Sequence, residues 1–103
     1  MGILDLLFGN KKDKVKDFQL RGAIILDVRT LGEFNSGAIS GSKNIPLQRL
    51  NSKIGELKKL NKPIITCCAS GMRSGSASAI LRSHQIETIN GGGWQRLNRI
   101  IDD

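Results

Sequence analysis

The chain has 103 residues, 39% hydrophobic and 24% charged, which suits one small globular domain and excludes two. Its formal net charge is +7, but three Phe, one Trp and no Tyr offer few aromatic side chains for stacking on bases, so no nucleic-acid partner is expected. No stretch approaches the roughly 20 apolar residues of a membrane span, so no transmembrane segment is expected.

The first half of the chain alternates helix and strand signals. Residues 1–12 are apolar and then basic, and we interpret them as an extension ahead of a domain over residues 13–103. This extension is a helical turn that packs or frays, or a weak docking segment for a membrane surface or a partner. The patterns that follow predict a helix over 13–21, a buried strand over 23–28, a helix capped by Thr30, and a very short strand over 43–45.

The second half continues the alternation. Apolar residues at three- and four-residue steps predict an amphipathic helix between residues 47 and 60. Further patterns predict a strand over 64–67, a helix over 73–83, a strand over 87–89, a flexible glycine turn over 91–93, and a closing helix from Trp94. Strands that alternate with helices predict a three-layer α/β/α sandwich with a mostly parallel sheet of four or five strands.

The most informative stretch is CASGMRS at residues 68–74, which lies between a β-branched strand and a small-residue helix. Ligands of parallel α/β folds bind beyond the carboxyl ends of the strands, where Cys68 and Arg29 are both predicted to lie. Turn amides and a helix N-terminus around a cysteine favour its thiolate and bind anions. Arg73 adds a charge that stays positive at every physiological pH.

The adjacent cysteines allow two interpretations of this loop. From Cys68 to Arg73 the loop has six residues, and a small loop suits a single sulfur atom. From Cys67 the spacing is Cys-x5-Arg-Ser, which is typical of cysteine phosphatases and some arsenate reductases. A disulfide between neighbouring cysteines closes a strained ring, so none is expected and a reducing cytoplasm fits best.

Four stretches together resemble the motifs of a single-domain rhodanese. They are LDVRT at 26–30 with Glu33 and Phe34, GAISGS at 37–42 with NIPL at 44–47, CASGMRS at 68–74, and GGGW at 91–94. They occur in the order in which the family has them. One departure is Ala38, since the family usually has there a histidine that is not the nucleophile.

The resemblance implies a sulfurtransferase. In the family, the cysteine that matches Cys68 accepts a sulfur atom as a persulfide and passes it to a thiophilic acceptor. The resemblance implies catalytic roles for Cys68 and Arg73. It implies substrate binding by the rest of the loop, namely Ala69, Ser70, Gly71, Met72 and Ser74. The implied partners are a small anionic donor such as thiosulfate and a thiol or cyanide acceptor, with a protein sulfur acceptor as a further option.

Two other functions stay open at this stage. One is a sulfur carrier or binding module that forms the persulfide without turnover, and the other is a phosphatase or arsenate reductase that uses Cys67. The two cysteines and His84 fall short of the four ligands of a structural zinc site, so no metal is predicted. The glycines at 91–93 lack the spacing of a dinucleotide-binding loop, and no cofactor is predicted.

Overall fold

A parallel sheet of four strands organises the part of the chain that the computed structural model describes, residues 10–103. The predicted extension falls almost wholly on residues 1–9, outside the described residues. In chain order the elements are α1 (Lys11–Leu20), β1 (Ile24–Asp27), α2 (Leu31–Ser36), β2 (Lys43–Asn44), a 3-10 turn (Leu47–Arg49), α3 (Leu50–Leu60), β3 (Ile64–Cys68), α4 (Met72–Ser83), β4 (Thr88–Gly93) and α5 (Trp94–Ile101).

The strand order is β2-β1-β3-β4, and every neighbouring pair is parallel. Strand β3 lies inside the sheet, and all five of its residues are buried. A strand covered on both faces reads as a continuous apolar run, which is the pattern of residues 64–68. The predicted α/β/α class with a parallel sheet is confirmed, with four strands in residues 10–103.

Side chains along β3 alternate between two hydrophobic cores. Ile64 and Cys68 pack with residues of α3 and α4, whereas Ile65 and Cys67 pack with residues of α1 and α5. The alternation follows from the two-residue period of a strand. The two helical layers therefore cover opposite faces of the sheet, and the two cysteines point into different layers.

Two short helices begin where their capping residues stand. Helix α1 starts at Lys11, two residues before the prediction, because the Asn10 side chain accepts a hydrogen bond from the Asp13 amide at 2.9 Å. Helix α2 has the predicted Thr30 cap, and the cap is a full capping box, in which the side chains of Thr30 and Glu33 each bond the other residue's backbone amide. No residue of α2 is buried, so this helix lies on the surface beside the carboxyl end of β1.

The predicted glycine turn at 91–93 is wrong, because these residues complete strand β4. A Cβ atom on Gly91 would lie only 2.6 Å from the Thr66 carbonyl oxygen of β3 and 2.8 Å from Leu97 of α5. Glycine is therefore required by the close approach of two strands and a helix rather than by a turn.

Candidate active site

The Cys68 sulfur lies at the carboxyl end of β3 with three polar groups around it. The Gly71 amide donates to Sγ at 3.0 Å and the Ser74 amide at 3.4 Å, while the Ser74 Oγ lies 3.3 Å away. The residue is 1% exposed, so these groups take the place of solvent around the sulfur. Sequence reasoning placed this cysteine just past the strand, and it is in fact the last strand residue.

These contacts shift the pKa of the Cys68 thiol downward. Burial by itself acts to raise this pKa, because the charged thiolate loses hydration. The Ser74 hydroxyl and amide, followed by the amides of Gly71 and Ser70, lower the pKa by donating to the thiolate and together outweigh burial. The site therefore stabilises negative charge on this sulfur.

The backbone of Gly71 makes this arrangement possible. Its φ of +106° lies in the left-handed region, which a residue with a Cβ atom adopts only with strain. Helix α4 begins directly after it, and the Ser74 amide of its first turn reaches the sulfur. The loop side chains turn outward: Ala69 and Ser70 are exposed, and Met72 is 82% exposed.

The side chain of Arg73 extends from the loop and pairs with Glu33 of α2. The guanidinium forms two parallel bonds with this carboxylate, Nη1 to Oε1 at 2.7 Å and Nη2 to Oε2 at 3.0 Å. Arg73, together with the backbone and hydroxyl of Thr30, lowers the pKa of Glu33 to about 2. The pair ties the loop to α2 across 40 positions of sequence.

The carboxyl end of β1 is held by a buried ion pair next to the site. Arg29 bonds the Asp27 carboxylate, with the shortest distance 2.7 Å, and the Gly37 carbonyl at 2.7 Å. Its guanidinium also lies 4.8 Å from the ring centroid of Trp94. Arg29 reaches Glu33 only at its backbone oxygen, at 3.4 Å, because the Glu33 carboxylate pairs with Arg73.

Cys67 has none of these polar contacts among the hydrogen bonds of the described residues. Its side chain is 0% exposed in the core formed with Val15, Phe18, Ile65 and Leu97. Burial first, then the nearby Asp27 carboxylate, raises the pKa of Cys67 to about 12. Cys67 therefore lies on the face of the sheet opposite to the loop.

Two residues of the site escaped sequence reasoning about function. Asn90 of β4 receives the Ser74 hydroxyl at 2.7 Å, and Glu33 holds Arg73. Glu33 was visible as part of the first motif but not as the partner of Arg73. Asn90 carried no local signal, because its contacts cross between β4 and α4. Within residues 10–103, no three His, Cys, Asp or Glu side chains come together as a metal site would require.

The fold and the site together define the class of this protein. It is a parallel α/β/α sandwich in which backbone amides surround a cysteine at the end of an inner strand. Residues 11–99 match the family described as Rhodanese-like domain. Because this match covers most of the chain, the chain belongs to the rhodanese-like domain family.

The chain is similar to one curated protein and to several solved structures. The chain is 37% identical over 75 residues to the uncharacterized protein YqhL of Bacillus subtilis (strain 168), covering 70% of this chain and 59% of that protein. It thus spans less than two thirds of the length of that relative. The reduced Bacillus anthracis protein CoADR-RHD superposes with a TM-score of 0.71 at 29% identity, covering 87% of this chain and 16% of that one. A rhodanese with anions from E. coli superposes with a TM-score of 0.65 at 27% identity, covering 71% and 88%.

Proposed function

We propose that this chain is a sulfurtransferase, in which Cys68 takes a sulfane sulfur from thiosulfate or a similar anionic donor and passes it to a thiophilic acceptor. The observation that carries the proposal is the set of donors around the Cys68 sulfur, the Gly71 and Ser74 amides and the Ser74 hydroxyl. Such a site favours the nucleophilic thiolate and suits a second sulfur atom that bears negative charge.

In the first step the Cys68 thiolate attacks the outer sulfur of thiosulfate. A bond forms between Sγ and that sulfur, and the sulfur–sulfur bond of thiosulfate breaks. Sulfite leaves with the electron pair of the broken bond, so the enzyme becomes a persulfide and no external oxidant or reductant is needed. We take the six-residue spacing from Cys68 to Arg73 to suit one sulfur atom rather than a tetrahedral oxyanion.

In the second step a thiolate or cyanide ion attacks the outer sulfur of the persulfide. The new bond forms on the acceptor, the Sγ–S bond breaks, and its electron pair returns to Cys68 as thiolate. The acceptor leaves as a persulfide or as thiocyanate. A protein thiol fits the same chemistry, and the exposed apolar side chain of Met72 in the loop supports contact with a protein acceptor.

The remaining loop residues act through their backbone in this proposal. Their amides bind the charged sulfur and the donor, as a helix N-terminus does for an anion. Arg73 contributes positive charge at the edge of the site, because its guanidinium interacts electrostatically with the Cys68 thiolate. The E. coli rhodanese with anions is similar in fold, which supports an anionic donor here. A reducing cytoplasm would keep both free cysteines available.

Intact mass tests the first step. Incubation with thiosulfate should add the mass of one sulfur atom to the wild-type chain, and a reductant should remove it. Peptide mapping should locate the added atom on Cys68. Cys68→Ser should accept no sulfur and should lose thiosulfate:cyanide activity by about 10³-fold or more, as the loss of a nucleophile does.

The matched control is Cys67→Ser, which changes the neighbouring sulfur on the other face of the sheet. It should keep the sulfur adduct and the greater part of the activity. A Cys68→Ser chain that still turns over thiosulfate and cyanide would refute the proposal, and so would an adduct located on Cys67.

A sulfur carrier without turnover is the second candidate. It is favoured by the shielding of Cys68, which is 1% exposed and would protect a stored persulfide from solvent. The measurement is the number of thiocyanate molecules released per chain with excess thiosulfate and cyanide. Release of one equivalent indicates a carrier, whereas continued release indicates the enzyme. A phosphatase using Cys67 receives no support from the geometry, because that thiol is buried with a pKa of about 12.

A further inference from the structure

Asn90 has no role in the proposed chemistry, yet its side chain bonds two residues whose polar groups surround the Cys68 sulfur, Gly71 and Ser74. It lies within β4, in register with Thr66 of β3, and is half-buried. Its Nδ2 donates to the Gly71 carbonyl at 3.0 Å, and its Oδ1 accepts from the Ser74 hydroxyl at 2.7 Å. One carboxamide therefore joins the turn of the loop to the first turn of α4.

The neighbours of Asn90 determine which way its carboxamide faces. The Gly71 carbonyl can only accept a hydrogen bond, so the amide nitrogen must face it. The Gly92 amide can only donate, and it reaches Oδ1 at 2.9 Å. These two requirements agree, and they leave Oδ1 as the acceptor for Ser74. The side chain is also confined, since a Cβ atom on Gly75 would lie 3.2 Å from Nδ2.

We propose that Asn90 is a positioning residue for Cys68, which fixes Gly71 and Ser74 so that their polar groups face the sulfur. The bond to the Gly71 carbonyl holds the left-handed glycine whose amide donates to Sγ. The bond to Oγ selects the Ser74 side-chain rotamer that lies 3.3 Å from Sγ. The proposal takes Cys68 as the reacting thiol and so rests on the proposed function, but it does not require that sulfur is transferred.

The hydrogen of the Ser74 hydroxyl connects Asn90 to the charge state of Cys68. While Cys68 is a thiol, this hydrogen points to Asn90, and the thiol S–H donates to Oγ. When Cys68 ionises, the hydrogen can turn to the sulfur, and Oδ1 keeps its bond to the Gly92 amide. Ionisation therefore leaves the carboxamide with two of its three bonds, and the loop stays in place.

The test is the pKa of the Cys68 thiol, obtained from the rate of iodoacetamide alkylation against pH with peptide mapping. Asn90→Ala should raise this pKa by about one unit, which corresponds to the loss of one hydrogen bond to a charged group. Asn90→Leu, which keeps most of the volume without the hydrogen bonds, should do the same and serves if the alanine variant fails to fold.

The matched control is Asn44→Ala. Asn44 also anchors backbone groups through its carboxamide, which donates to the carbonyls of Asp27 and Arg29, but it lies on β2, with β1 between it and β3. The Asn44→Ala variant should be less stable than wild type, and its Cys68 pKa should be unchanged. An unchanged Cys68 pKa in the Asn90 variants would mean a structural role alone, and a lowered one would mean that Asn90 only competes for the Ser74 hydrogen; either result overturns the proposal. Alkylation does not depend on sulfur transfer, so this outcome is separate from failure of the proposed function.

Discussion

Cys67 and Cys68 are neighbours in the chain, and their side chains are almost equally hidden from solvent, at 0% and 1% exposure. The pKa values of their thiols nevertheless shift in opposite directions from the ordinary value. Cys67 lies among apolar side chains of α1 and α5, and its pKa rises to about 12. Cys68 faces the start of α4, where donors to the sulfur outweigh burial and lower its pKa. Burial raises the pKa of a thiol at both positions, and only at Cys68 do hydrogen-bond donors outweigh it.

The difference comes from the period of the strand. Successive side chains of β3 point to opposite faces of the sheet, so a shift of one residue exchanges a core position for the loop position. The sheet places β3 between β1 and β4, and only the carboxyl end of the strand meets helix amides. Three measurements test the difference between the two cysteines: the rate of alkylation, stability at alkaline pH, and the response of each pKa to nearby charges.

The largest expected effect is in alkylation. Near neutral pH, iodoacetamide should modify Cys68 faster than Cys67 by roughly a thousandfold, because only the thiolate reacts and the two pKa values lie on either side of the ordinary value. Peptide mapping of partially modified protein measures the ratio. Denatured protein is the control, since both cysteines should then react at similar rates. Comparable rates in the folded protein would contradict the assignment of the two faces.

The next effect concerns stability at alkaline pH. The folded-state pKa of Cys67 is raised from 9.0 to about 12, so its neutral form adds stability that is fully present below pH 9 and is lost as the pH rises through 12. This loss amounts to about 4 kcal/mol at most. The free energy of unfolding in denaturant should be measured for wild type and Cys67→Val at a series of pH values. Wild type should lose stability between pH 9 and 12, and Cys67→Val should lack this loss.

The control for the alkaline experiment is the same substitution at the other cysteine. Cys68→Val should retain the alkaline loss of stability, because it leaves Cys67 in place. It should also lack the smaller stabilisation that the lowered pKa of Cys68 supplies at pH values above the ordinary thiol pKa. If Cys67→Val and wild type lost the same stability between pH 9 and 12, the raised pKa of Cys67 would be wrong.

The smallest effect is electrostatic and should reach only Cys68. Arg73→Gln should raise the Cys68 pKa by a few tenths of a unit, because the guanidinium interacts with the thiolate through partly exposed surroundings that screen charge. Glu33→Gln should lower it slightly by removing the opposing charge. Both shifts should shrink at high salt, and the Cys67 pKa should stay unchanged. A large shift that resists salt would indicate that the ion pair holds the loop rather than tuning it.

Much of the fold was accessible from local patterns. The Thr30–Glu33 capping box, the apolar run of β3 and the alternation of helices and strands each depend on residues close in sequence, and each agrees with the structure. The same local patterns gave a wrong prediction for the glycines of β4, which were expected to form a turn. Glycine signals a turn as readily as a close contact, and only the approach of the Thr66 carbonyl to Gly91 distinguishes the two.

The candidate site divides in the same way. The sequence by itself placed a cysteine directly after a buried strand and ahead of a helix, and the surrounding motifs favoured Cys68 over Cys67. Only the tertiary structure decided that Asn90 of β4 bonds Gly71 and Ser74, and that Arg73 faces Glu33. Strand periodicity and helix caps are local properties of the chain. The partners of a polar side chain depend on which elements pack together, and that becomes definite only when the sheet has formed.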